Sequence, residues 1–129
     1  MILAVVGSRT FLNYEHVSCV ISKIRDTHNV TKIVSGGARG VDTLAAYYAR
    51  EHAIPLQEIH PQWAVEGPAA GFARNKQIID AADTVLAFWD GKSKGTKNSI
   101  DLARASGKQL FIIKSIKDVQ AFELKDALV

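Results

Sequence analysis

Lys32-Ile33-Val34-Ser35-Gly36-Gly37-Ala38-Arg39-Gly40-Val41-Asp42 passes from a short apolar segment through three glycines into a helical pattern. Lys32 to Val34 carries the β-branched residues that strands favour. Beyond the glycines, Val41, Leu44, Ala45 and Tyr48 recur at the 3.6-residue period of one helix face. A strand that enters a helix through a glycine-rich loop is the building unit of an open α/β sheet. Such a loop exposes backbone N–H groups at a helix N-terminus, where geometry and dipole together favour an anion. The pattern is neither the P-loop, which ends in Gly-Lys-Ser/Thr, nor the strict dinucleotide G-x-G-x-x-G.

Working outward, Ile2 to Val6, Thr84 to Phe88 and Leu110 to Ile113 are also short and apolar, as parallel strands covered on both faces are. Leu56 to His60 is more polar, with Gln57 and Glu58, and fits an edge strand. Val17, Val20, Ile21 and Ile24 mark a helix after the first strand. A third helix is expected from Ala69 to Ala82, with Phe72, Ile78 and Ile79, and a fourth from Thr96 to Ala105, stopped by Gly107. Lys117 to Leu128 reads as a last helix. Strict alternation of strand and helix predicts a three-layer Rossmann-like α/β domain with a five-stranded parallel sheet and right-handed crossovers. The order 3-2-1-4-5 places the polar third strand at an edge. One domain over residues 1–129 suits the length.

Composition narrows the class. Hydrophobic residues make up 47% and charged residues 22%, which excludes a disordered chain. No apolar run approaches the roughly 18 to 20 residues of a membrane span. Met1 to Val6 is apolar, lacks a basic leader and is stopped by Gly7-Ser8-Arg9, so it reads as a strand and not a signal peptide. With a single cysteine, Cys19, on the apolar side of a helix, a reducing cytoplasmic setting is the expectation. His16, His28, His52 and His60 share no ligand-like spacing, so no metal site and no cofactor are expected. The net charge of +3 does not by itself mark a nucleic-acid binder.

Ligands of open α/β sheets sit at the carboxyl ends of the strands, where the strand order reverses. The loop after the first strand reads Gly7-Ser8-Arg9-Thr10: Gly7 permits a sharp turn, Ser8 can donate to a phosphate or cap the turn, and Arg9 can grip an anion with two prongs. In the second loop, Ser35, Gly36, Gly37, Ala38, Arg39 and Gly40 form the anion cradle. Asp42 either complements the helix dipole or accepts from ligand hydroxyls. Arg74 and Asn75, near the start of the third helix, point across the sheet end. After the fourth strand, Trp89 either stacks on a base or packs under its loop, and Asp90 holds a ribose hydroxyl or shapes the turn. Gly95-Thr96 forms a second phosphate cradle at a helix start. These loops gather Arg9, Arg39, Arg74, Lys76, Lys92, Lys94 and Lys97 at one end of the sheet, which points to a pocket-sized anion of nucleotide type.

Gly7-Ser8-Arg9, Ser35 to Asp42, Phe72-Ala73-Arg74-Asn75-Lys76 and Gly95-Thr96 together resemble the SLOG superfamily, which joins DprA (Smf) to the Lonely Guy enzymes. The small YspA-like branch, common in bacterial and phage genomes, is the most similar. The resemblance covers nearly the whole chain. It implies a Rossmannoid domain that binds nucleotides or nucleotide-derived molecules of NAD or ADP-ribose type, as a sensor or sequestering module. It also implies two alternatives: hydrolysis of the N-glycosidic bond of nucleoside monophosphates, as in Lonely Guy enzymes, and single-stranded DNA binding, as in DprA. A homodimer is a further expectation from the resemblance. The Lonely Guy signature P-G-G-x-G-T-x-x-E ends in a glutamate that supports hydrolysis. Here Ser99 occupies that place, and a serine cannot act as a carboxylate. Asp42, Glu66 and Asp90 are the carboxylates left as substitutes, and no catalytic residue is assigned.

Overall fold

The computed structural model describes residues 1–114 and 117–120. Its elements are β1 (Ile2–Gly7), α1 (Tyr14–Thr27), β2 (Lys32–Ser35), α2 (Val41–Glu51), β3 (Leu56–Glu58), α3 (Trp63–Glu66), a 3-10 turn (Gly67–Ala69), α4 (Ala70–Ala81), β4 (Thr84–Phe88), α5 (Lys94–Ala105) and β5 (Gln109–Ile113). All strand pairs are parallel, in the order β3-β2-β1-β4-β5. The predicted order holds, with the polar β3 at an edge. The helix expected over 117–128 falls largely outside the described residues; residues 117–120 form a helical turn with Val119 buried on the core. Sequence reading missed α3 and the 3-10 turn. Among the described residues no helix is long and apolar enough to cross a membrane.

Alternation along the strands builds two cores. Leu3 and Val5 of β1 and Leu86 and Phe88 of β4 face α1 and α2, where they meet Val17, Ile21, Val41 and Tyr48. Ala4 and Val6, with Val85 and Ala87, face α4 and α5 and meet Ile78, Ile79, Ile100 and Ala103. Cys19 packs, partly buried, against the first core. Two helices start on side-chain caps: Asn13 accepts from the His16 N–H at 3.1 Å, and Ser93 from the Thr96 N–H at 3.4 Å.

The topology creates the site. The crossovers leaving β1 and β4 go to opposite faces of the sheet, yet the strands are neighbours, with Gly7 opposite Phe88. The loops at their carboxyl ends diverge and leave a crevice between them.

Candidate functional site

A cavity of about 470 Å³ opens at that crevice. Val6 and Gly7 at the end of β1 and Ile78 of α4 give it an apolar part. Its polar side is supplied by Arg9 and Thr10, by Asp42, and by Asp90 with Ser93. Gly95, Thr96 and Ser99 of α5 contribute a further wall. These α5 positions share a face because residues three and four apart on a helix are neighbours.

Of the residues expected from sequence, Gly7, Arg9, Ala38, Asp42, Arg74, Asn75, Asp90, Gly95 and Thr96 come together around the cavity. The others lie behind or outside this lining. Ser8 is buried, and its hydroxyl accepts the Asp90 N–H at 3.2 Å, tying the first loop to the fourth. Ser35 is buried too, donating to the Val5 carbonyl at 2.8 Å. Gly36 admits Arg74: a Cβ there would lie 2.5 Å from Arg74 Nη1 and 2.9 Å from Asp42 Oδ2. Gly37, at φ +70°, lies under the imidazole of His60, which pairs with Glu58 at 3.3 Å. Gly40 passes against the carbonyls of Ser8 and Arg9. Arg39 is exposed. Trp89 packs against the second core, donates its indole N–H to the Ser93 carbonyl at 3.0 Å, and carries the Lys114 ammonium over its ring at 5.1 Å.

Arg74 and Asn75 stitch three elements together. Arg74 Nη1 donates to the Gly36 carbonyl at 2.7 Å, and its Nε donates to Asn75 Oδ1 at 3.1 Å. Asn75 Nδ2 then donates to the Gly95 carbonyl at 3.3 Å and Asn98 Oδ1 at 3.1 Å. This network fixes α4 against the glycine loop and against the start of α5. Asp90 does the same locally: its Oδ1 accepts from the Lys92 and Ser93 N–H groups at 2.8 and 2.7 Å. Those bonds hold its carboxyl below the usual range.

Two arginines face the cavity. Burial, and the nearby Arg9 charge to a lesser degree, lower the pKa of Arg74, against the opposing pull of Asp42. Arg9 has no hydrogen bond or ion pair among the described residues. Burial pushes the Asp42 carboxyl above its ordinary value, although the Ala38 N–H donates to it at 3.1 Å. A carboxyl whose folded pKa is raised favours folding below its unfolded pKa, and that contribution is lost as pH rises through the folded value. Asp42→Asn keeps the acceptor for Ala38 and removes the charge. We expect its stability to decline less than wild type's as pH rises from 3 through the acidic range, measured by urea unfolding at successive pH values. Equal slopes for the two proteins would refute the account of Asp42.

The residues that sequence reading did not place here are Thr10, Trp63, Pro68, Gly71, Phe72 and Ser93, along with the apolar Val6 and Ile78. In the sequence Ser99 stands out only for its place in a motif. Trp63 and Phe72 are 57% and 56% exposed yet line the cavity; exposure is not legible in a sequence, and only the place of Phe72 in the Phe72 to Lys76 motif pointed to either of them. Glu66 does not line it. Among the described residues, no group of three or more His, Cys, Asp or Glu is arranged to hold a metal ion.

Residues 1–65 match the family model described as YspA, cpYpsA-related SLOG family. Among solved structures, DNA processing protein A from Helicobacter pylori, described for its single-stranded DNA binding mode, superposes with a TM-score of 0.69 at 23% identity, over 89% of this chain and 66% of that one. DprA from Streptococcus pneumoniae superposes with a TM-score of 0.71 at 23% identity, over 88% of this chain and 50% of that one. The chain thus spans about two thirds and half of the lengths of these two proteins. At this identity the likeness is one of fold. No curated protein matches the chain.

Proposed function

This chain belongs to the YspA, cpYpsA-related SLOG family, and from that premise we propose that its cavity binds a nucleotide or a nucleotide-derived molecule of ADP-ribose or NAD type, as a sensor or sequestering module. The observation that carries this reading is Arg9, a guanidinium unpaired among the described residues that shares one cavity with the N-terminus of α5. The first N–H groups of a helix have no partner within it. Here the Thr96 N–H goes to Ser93, while nothing stands within 4 Å of where a Cβ of Gly95 would lie, so a phosphate can approach that backbone. Asp42 and Asp90, both at the cavity wall, are the carboxylates available for ribose hydroxyls. Turnover of the ligand would show as release of free base from a nucleoside monophosphate.

Thermal unfolding against AMP, ADP, ADP-ribose, NAD, cyclic nucleotides and a short single-stranded DNA tests this. A ligand at about a hundred times its dissociation constant adds roughly 2.7 kcal/mol, a rise in Tm on the order of 10 °C. Arg9→Ala is expected to remove the shift while leaving the ligand-free Tm within about 2 °C of wild type, because Arg9 is exposed. A flat panel, or a full shift in Arg9→Ala, would overturn the reading.

Single-stranded DNA is a second reading. The fold is shared with a protein described by its single-stranded DNA binding mode, and Arg39 and Lys92 are exposed in the loops around the cavity, with Lys94 exposed at the first residue of α5. Affinity falling steeply with salt, in proportion to the phosphates contacted, would distinguish it from a pocket ligand.

A further inference from the structure

We propose that Trp63 is the stacking surface for the base of the bound nucleotide; the inference rests on the nucleotide reading of the cavity and adds a specificity-determining residue to it. The cavity is chemically bipartite. One part is charged and rich in N–H donors, with Arg9 and Arg74 beside Asp42 and Asp90 and with the first turn of α5. Another is formed by α3 and the start of α4, which bring Trp63 and Phe72. A nucleotide has the same two-part character, an anionic phosphate and a flat apolar base.

Trp63 belongs to neither core. It is 57% exposed, its indole N–H donates to no group among the described residues, and neither α3 nor the following 3-10 turn buries a side chain. A Cβ added at Gly71 would lie 3.5 Å from Trp63 Cη2, so the indole lies against the start of α4. Among the described residues Trp63 and Phe72 make no ring contact with each other, and more than half of the Trp63 surface stays exposed at the cavity wall. Trp89, the other tryptophan, has its N–H bonded and its ring covered by Lys114. Open, amphipathic and at the wall of an anion site, Trp63 has what base stacking requires.

The test compares AMP, the moiety shared by ADP, ADP-ribose and NAD, with ribose 5-phosphate, which has no base. Titrations are made on wild type, Trp63→Ala, Trp63→Phe and Arg9→Ala. Trp63→Ala is expected to weaken AMP binding roughly tenfold or more and to leave ribose 5-phosphate affinity unchanged. Trp63→Phe retains most of the AMP affinity, and Arg9→Ala weakens both ligands. In a Trp89→Phe background the remaining Trp63 fluorescence responds to AMP and not to ribose 5-phosphate. Unchanged AMP affinity in Trp63→Ala, beside a loss in Arg9→Ala, overturns this inference and leaves the nucleotide reading standing. No AMP binding by wild type also overturns it, whereas the nucleotide reading falls only if the whole ligand panel is flat.

Discussion

Gly40→Ala is expected to lower the unfolding free energy by roughly 3 kcal/mol or more and to remove ligand binding with it. Gly40 precedes α2 at φ +78° and ψ −126°, a conformation that residues with a Cβ seldom adopt. A Cβ there would stand 2.6 Å from the carbonyl oxygens of both Ser8 and Arg9. Those neighbours are backbone, so no rotamer change relieves the contact. The β1–α1 loop has to move instead, and Arg9 with it. Gly91→Ala is the control. Gly91 also has a positive φ, +83°, but nothing within 4 Å of an added Cβ, so alanine there meets a left-handed φ without the collision. Urea unfolding of the two variants separates the terms. Equal losses would mean that the approach of the first two loops is not what requires glycine at position 40.

The second large effect is expected at the end of β4. Phe88→Ala should cost roughly 3–5 kcal/mol, the range for emptying a buried aromatic site. Phe88 is fully buried, and its ring stacks at a tilt on Phe11, 5.0 Å between centroids. Its backbone carbonyl accepts the Ser8 N–H at 2.9 Å, so the same residue anchors the core and the loop that carries Arg9. Against a total stability of about 5–15 kcal/mol, a loss of that size leaves a substantial unfolded population in mild denaturant. Phe72→Ala removes as much ring from a site that is 56% exposed, and its midpoint in urea should stay close to wild type. A Phe72→Ala midpoint displaced as far as that of Phe88→Ala would contradict the division between core and cavity aromatics.

The contrast between these two phenylalanines shows what was legible in the sequence. Strand β4 announced itself by continuous apolar character, because a parallel strand covered on both faces has no polar side to show. The edge position of β3 followed from its polar residues, since an edge leaves Gln57 and Glu58 in solvent. The glycines pointed to the loops that crowd together, because their spacing records close approaches of backbone. The aromatic wall left no such trace. Helix α3 is four residues long, too short for a period, and the Gly67-Pro68 pair that follows reads as a plain break. Trp63 therefore stood in a stretch without a visible element. Trp89 lay in a loop that could be placed, but the sequence offered two uses for it. Which use wins depends on whether a carbonyl and a cation reach its ring, and that is settled by the course of residues 93 and 114 in space.

The adjacency of β1 and β4 has a further consequence, in how the chain reaches this state. Leu3 pairs with Thr84 and Val5 with Leu86, so the central ladder joins segments separated by most of the chain, and every other pairing also spans a crossover. The entropy of closing such long loops is lost before any of these contacts form, which places the fold among slower-assembling topologies. In any partly folded chain in which β4 has not docked, one edge of β1 would stand open along Leu3-Ala4-Val5-Val6, an apolar ladder able to recruit the same strand from another molecule. The neighbouring strands that open a crevice for a ligand also make refolding yield depend on protein concentration.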